Sequence, residues 1–309
     1  MTGDWPKKYR IVPAILLALA LAVLPGCTML RFGYGQLDTY AAWTADDYFD
    51  LDPAQRQEFQ KRFDRLFEWH RYEQLPDYAK FFTAMRSKVQ KGVTRDDLNW
   101  FADGVMERYR TIIKYSSADM AAMLMTVKPE QLAALQRQWD KDNQRFAREF
   151  RIEDSLEERY QARLKRAHTQ ITDWIGALTP DQEQLIATMT KQRPSMDKLR
   201  YQDRIRRQRE FLQLLNQRGN PQEFAAKLQH WLINWEQGRD PEYDRAFKDW
   251  WNHRSEMYAA IARTMTPHQR AAAVRRLQNH IDDFTRLSER PDSPITDGRN
   301  KKKTEGKCC

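Results

Sequence analysis

The chain has 309 residues, 41% hydrophobic, 12% aromatic and 31% charged, with a formal net charge of +9. That is too aromatic for a disordered chain and too charged for a bundle buried in a bilayer. The basic balance raises nucleic acid as a partner, but the N-terminal segment argues against it.

Lys7, Lys8 and Arg10 precede an apolar run from Ile11 to Leu24, which ends in Pro25-Gly26-Cys27. A positive region, a short apolar stretch and a small residue before the cut make a secretory signal peptide over residues 1–26. The run is about 14 residues, short of the ~20 that a membrane-crossing helix needs. Leu24-Pro25-Gly26-Cys27 resembles the lipobox of bacterial lipoproteins. That resemblance implies a diacylglycerol thioether and an N-acyl chain on Cys27, more than the two chains that stable anchoring requires. Thr28 in place of Asp after the cysteine resembles the outer-membrane sorting pattern, so the protein is expected on the periplasmic face of the outer membrane. The anionic partners available there are lipid head groups, lipopolysaccharide phosphates and acidic proteins, and nucleic acid is not expected.

Residues 27–36 are expected to tether the lipid to the first helix, and 37–289 to form an all-α domain. About ten helices are predicted, in an irregular bundle or helical-hairpin array without sheet, because no stretch alternates with period two. A single domain and two subdomains parting near 193 or 219 are both compatible with the breaks. The clearest signal is a helix start that recurs four times: Leu51-Asp52-Pro53-Ala54-Gln55, Val127-Lys128-Pro129-Glu130-Gln131, Leu178-Thr179-Pro180-Asp181-Gln182 and Met265-Thr266-Pro267-His268-Gln269. Asp52, Thr179 and Thr266 can accept from orphan N–H groups, the proline at the first helical position loses no hydrogen bond, and the glutamine can return a bond to the cap. Lys128 cannot accept, so the second copy is the weaker. Apolar stripes at helical spacing follow each start, such as Phe59, Phe63, Leu66 and Phe67, or Leu132, Leu135, Trp139 and Phe146. The starts lie 76, 51 and 87 residues apart, too unevenly for a solenoid. Further breaks fall at Leu75-Pro76, Gly92, Arg193-Pro194, Gly219-Asn220-Pro221 and Gly238-Arg239-Asp240-Pro241. Between Pro129 and Ala177 the pattern fits one helix bent near Glu153, or two. The basic tail 290–309 is expected to be disordered; its Cys308 and Cys309 are adjacent and poorly placed to bridge each other.

Three groups of residues are candidates for binding. Trp69, His70 and Arg71 form the densest chemical cluster, with His70 a pH-sensitive donor or, on the plainer reading, the end of a core stripe. Trp250, Trp251, His253 and Arg254 echo it, and the two clusters either pack on each other or line one groove. Lys198, Arg200, Arg204 and Arg207 recur at helical spacing as a basic face, either for docking onto anionic lipid heads or an acidic partner, or as a solvated face paired with Asp197, Asp203 and Glu210. The six histidines carry no metal-ligand spacing, and no nucleophile elbow, phosphate loop or dinucleotide fingerprint is present. No catalytic residue, cofactor or metal is therefore assigned, and the chain is not expected to be an enzyme.

Two family resemblances complete the reading. Leu178-Thr179-Pro180-Asp181-Gln182 and Met265-Thr266-Pro267-His268-Gln269 resemble the LTxxQ motif of the periplasmic Spy/CpxP group, small all-helical chaperones and stress sensors. The lipobox, Leu51 to Gln55, Trp69-His70-Arg71 with Leu75-Pro76, and Trp250-Trp251 ahead of Met265 to Gln269 are similar to an uncharacterised family of Gram-negative helical lipoproteins. These resemblances imply a fold and a location. The expected role is binding proteins or unfolded chains in a chaperone-like way. The alternatives are an envelope-assembly adaptor with one protein partner and a cell-wall-acting helical enzyme.

Overall fold

The computed structural model describes residues 27–290. The expected signal peptide (1–26) and residues 291–309 of the tail, with Cys308 and Cys309, lie outside the described residues. The described chain is helical without a strand: α1 (Cys27–Tyr34), α2 (Leu37–Phe49), α3 (Pro53–Trp69), a π-helical turn (His70–Gln74), α4 (Leu75–Lys91), α5 (Arg95–Met125), α6 (Pro129–Glu149), α7 (Leu156–Ile175), α8 (Pro180–Gln192), α9 (Asp197–Asn216), α10 (Pro221–Ile233), α11 (Pro241–Thr264) and α12 (Pro267–Leu287). The all-α architecture read from the sequence is the one observed.

The break expected at Leu75-Pro76 is not a break. Pro76 cannot donate a hydrogen bond, yet the chain runs on as helix from α3 into α4, because the π turn widens just ahead of it and Leu75 N–H reaches back to His70 O. Between Pro129 and Ala177 the chain forms two helices. It reverses where Arg151 takes a left-handed φ of 52°, and α7 restarts on a Ser155–Glu158 capping box. Residues 27–36, expected as a tether, contain α1, whose Leu30 and Tyr34 are buried in the main core.

The main core gathers α4 and α12, which share the longest contact in the fold, with α1, α7, α8 and α11 around them. Tyr78, Phe81, Phe82, Met85 and Val89 on α4 meet Ala273, Leu277, Ile281 and Phe284 on α12, each set lying on one helix face. A second cluster, Ala121, Leu135, Leu214, Leu215, Phe224 and Leu228, joins α5, α6, α9 and α10. The long α5 belongs to both, with Leu98, Phe101 and Val105 against the first and Met120, Ala121 and Leu124 in the second. Gly104 lets α5 approach α4, since a Cβ there would lie 2.4 Å from the Phe81 ring.

The four helix starts meet in space as two pairs. Gln55 Nε2 donates to Gln131 Oε1 (3.1 Å) and Gln131 Nε2 to Gln55 Oε1 (2.7 Å). Gln182 and Gln269 do the same at 2.9 and 2.8 Å. Each amide nitrogen also donates to a carbonyl five residues ahead of its partner glutamine: Thr126, Asp50, Thr264 and Ala177 O at 2.8, 3.0, 3.1 and 2.7 Å. Each Oε1 meanwhile accepts the backbone N–H of its own cap. A helix-start repeat thus becomes two reciprocal clasps that tie the end of one helix to the start of another. Lys128 does not cap its own helix; its ammonium donates to Asp52 Oδ2 of the paired start at 2.9 Å.

Candidate binding surfaces

The residues Trp69, His70 and Arg71 diverge. His70 is buried with Nδ1 3.0 Å from the Tyr34 hydroxyl and Nε2 3.2 Å from that of Tyr78. Burial pushes its pKa down to about 4 and raises those of both tyrosines, so all three are neutral at pH 7. Arg71 Nε donates to Leu287 O at 2.7 Å, closing the end of α12. Trp69 turns the other way and stacks on Tyr115 of α5, with ring centroids 3.8 Å apart and planes 5° from parallel. Tyr115 is 43% exposed, so the pair forms an aromatic platform on the surface. Asp119, one turn on from Tyr115, pairs with Arg62 and Arg65 of α3 and supplies a charged rim.

The second cluster lies elsewhere. Trp251 Nε1 donates to Asn99 Oδ1 (2.9 Å) in the first part of α5, and His253 Nε2 meets Met189 O of α8 at 2.6 Å. Arg254 lies over the rings of Trp250 and Tyr258 and donates to Gln170 of α7. Asn99 and Tyr115 are separated along α5 by about 24 Å at 1.5 Å per residue. The two clusters therefore occupy different stretches of that helix and share no groove. A shallow depression of about 400 Å³ beside the start of α12 is lined by Gln90, Met265, Pro267, Arg270, Ala271 and Val274, none of them a predicted site residue.

Arg200, Arg204 and Arg207 of α9 pack against neighbouring helices. Arg204 Nε donates to Asn143 Oδ1 at 2.6 Å, Arg207 donates to Trp231 O and lies 3.5 Å over the Trp231 ring, and Arg200 lies over Phe150 at 5.0 Å. Burial lowers the pKa of Arg204, and that of Arg207 to about 10, although neighbouring carboxylates oppose the shift. Lys198 and Arg209 remain exposed on the same helix.

Sequence reasoning missed two features. Asp142 on α6 is fully buried, accepting from the Tyr48 hydroxyl and from Arg145 (2.6 Å), with Arg204 at 4.0 Å. Its position, seven after the buried Leu135, places it on the same helix face, a spacing that an apolar stripe search passes over. Arg239 is also buried. Its guanidinium lies 4.4, 4.7 and 5.5 Å from the rings of Trp235, Tyr243 and Phe247 and pairs with Asp244 at 3.0 Å. Among the described residues no group of His, Cys, Asp and Glu is arranged to hold a metal ion. No described helix is long and apolar enough to cross a membrane.

An all-helical body, held by glutamine clasps and carrying exposed aromatic surface, is the class these features define. The family of unknown function DUF6279 matches residues 47–244, and the chain belongs to that family. The match covers the Gln55–Gln131 clasp and the Asp142 network; α1, α12 and most of α11 lie beyond it. No curated protein and no solved structure matches the chain.

Proposed function

We infer that the protein is a lipoprotein, acylated on Cys27, on the periplasmic face of the outer membrane, and that it binds proteins or unfolded chains without catalysing a reaction. The observation that carries the binding role is the Trp69–Tyr115 platform with its Arg62, Arg65 and Asp119 rim. A stacked aromatic surface flanked by both charges suits weak, sequence-tolerant contact with extended chains. The location is supported by the signal and lipobox pattern, and by Phe32, 66% exposed on α1, which is close enough in sequence to an acylated Cys27 to enter the same interface. The likeness of the Thr-Pro-x-Gln starts to the Spy/CpxP motif agrees with the chaperone-like role.

The test is a photo-cross-linking residue in place of Tyr115 in intact envelopes, with captured proteins read by mass spectrometry. Many unrelated envelope proteins support the reading. One stoichiometric partner replaces it with the adaptor reading, and no capture above that from a buried position refutes both. For the anchor, Cys27→Ser is expected to leave the membrane fraction or to accumulate uncleaved. Unchanged fractionation with normal processing defeats the lipoprotein assignment.

A further inference from the structure

Most arginines of this fold end on a carbonyl, a carboxylate or an aromatic face. One group does not. Arg159, Arg163 and Arg166 recur at steps of four and three on one face of α7, and α7 packs against α8. Arg193 closes α8, and Asp197 opens α9. Arg163 is 7% exposed and Asp197 6%. Yet Arg163 Nη1 stands 4.0 Å from Asp197 Oδ2, too far for a hydrogen bond, and both atoms are buried without a partner. The Nε atoms of Arg159, Arg163 and Arg193 are also buried and unpartnered. Arg166 reaches Glu149 O at 3.5 Å and lies over the Phe150 ring, the ring Arg200 approaches from α9. Arg163, Arg166 and Arg193 therefore share one carboxylate, with Arg159 one turn before Arg163. Burial, and then like charge from Arg254 and Arg163, pushes the pKa of Arg193 down to about 10.

Leaving buried donors without acceptors is costly, and an unbalanced set of buried charges costs more. A structural role alone would be served by a second acid, as Arg206 is served by Asp203 and Glu210. The start of α9 adds to the argument. Its cap is Met196, which has no side-chain acceptor, so the first N–H groups of the helix lack the side-chain partner that Thr179 and Thr266 give theirs.

We propose that the junction of α7, the α8–α9 turn and the α9 N-terminus binds an oxyanion of the phosphate class, with Arg159, Arg163 and Arg193 as its donors. Guanidinium forks match phosphate oxygens in pairs, and a doubly charged anion offsets most of the local excess. The phosphate is either free or part of a lipid head group. The proposal is independent of the aromatic platform and of what binds there.

The experiment compares thermal unfolding and calorimetric binding of the full chain in inorganic phosphate and in chloride at matched ionic strength. Phosphate is expected to raise the midpoint saturably. Arg193→Gln, in a half-buried turn, is expected to weaken binding about tenfold, the loss of one charge-assisted bond. Asp197→Asn removes the competing carboxylate and is expected to tighten phosphate binding, a gain that simple destabilisation does not produce. A second arm measures the Cys27→Ser chain on phosphatidylcholine vesicles with and without phosphatidylglycerol. Phosphatidylglycerol-dependent binding that Arg193→Gln loses assigns the site to a head group, and phosphate binding without it assigns a free anion. Equal midpoints in phosphate and chloride with no phosphatidylglycerol-dependent binding overturn the proposal, as do variants that bind like the wild type.

Discussion

The Gln182–Gln269 clasp predicts a coupling that a double-mutant cycle can measure. Gln182 is 1% exposed and Gln269 3%. Gln182→Met keeps the volume but strips the Thr179 N–H of the acceptor it had in Gln182 Oε1 and the Thr264 carbonyl of the Gln182 amide. Gln269 loses two of its bonds but keeps those to Ala177 O and Thr266 N–H. At about 1–3 kcal/mol for each buried group left unsatisfied, the substitution should cost about 2–4 kcal/mol. Gln269→Met should cost a similar amount by the same reasoning. The two mutual bonds are lost in either single variant and cannot be lost twice, so the double variant should fall short of the sum by about 1–2 kcal/mol. Gln55→Met combined with Gln182→Met shares no partner and should be additive. Urea unfolding followed by circular dichroism supplies all the values. Single effects below about 1 kcal/mol, or additivity within about 0.5 kcal/mol at Gln182 and Gln269, would refute the clasp as a cooperative unit.

Gly104→Ala gains helix propensity of about 1 kcal/mol. It also places a methyl 2.4 Å from the buried Phe81 ring, where overpacking costs about 1–3 kcal/mol. Net destabilisation is expected, with Phe81→Leu reversing it in the double variant; a stabilised Gly104→Ala would show that α5 and α4 are further apart than described. Acid should destabilise the fold through its two buried histidines. His70 and His280 are held near pKa 4 against 6.5 in the unfolded chain, so the unfolded state binds more protons between these values. Stability is then lost as pH falls from about 6.5 to 4, by about 3 kcal/mol or less per histidine. Neither ring nitrogen of His280 has a hydrogen-bond partner. His280→Leu should therefore be tolerated at neutral pH and should flatten the profile by about half, and an unchanged slope would count against this account.

Helix starts were legible because their chemistry is local. Asp52, Thr179 and Thr266 cap as their spacing says, and Pro53, Pro180 and Pro267 follow them into the first turn. That the glutamines pair across 76 and 87 residues was not legible, since nothing in a capping box says which other helix end lies beside it. Pro76 misled because a π turn can absorb a proline that an α-helix cannot. The α6 stripe was read from Leu132, Leu135, Trp139 and Phe146. The buried face runs through Gln131, Leu135, Gln138 and Asp142 instead, because tertiary partners such as Asp47 and Tyr48 satisfy polar groups that a hydrophobic pattern assigns to solvent. The candidate residues around Trp69 were found as a cluster, but adjacency in sequence put them on three faces of a helix.

The positive charge of the chain has an internal use that composition alone conceals. With 11 glycines in the whole chain, most helices end without a left-handed cap, and arginines from elsewhere meet their last carbonyls. Arg71 serves Leu287, Arg270 serves Val89, and Arg207 serves Trp231. Arg218 serves two ends together, donating from Nη1 to Leu124 O (2.6 Å) and Val127 O (2.9 Å) and from Nε to Leu215 O (2.7 Å). A cation there also meets the negative ends of α5 and α9. If charge alone mattered, Arg218→Lys would be neutral. A lysine has one nitrogen and cannot span carbonyls that two separate guanidinium nitrogens reach, so about 1–2 kcal/mol should be lost. Arg56→Lys, at an exposed pair with Asp46, should cost less than about 0.5 kcal/mol. Equal costs would mean that arginine serves here as charge and not as a geometric cap.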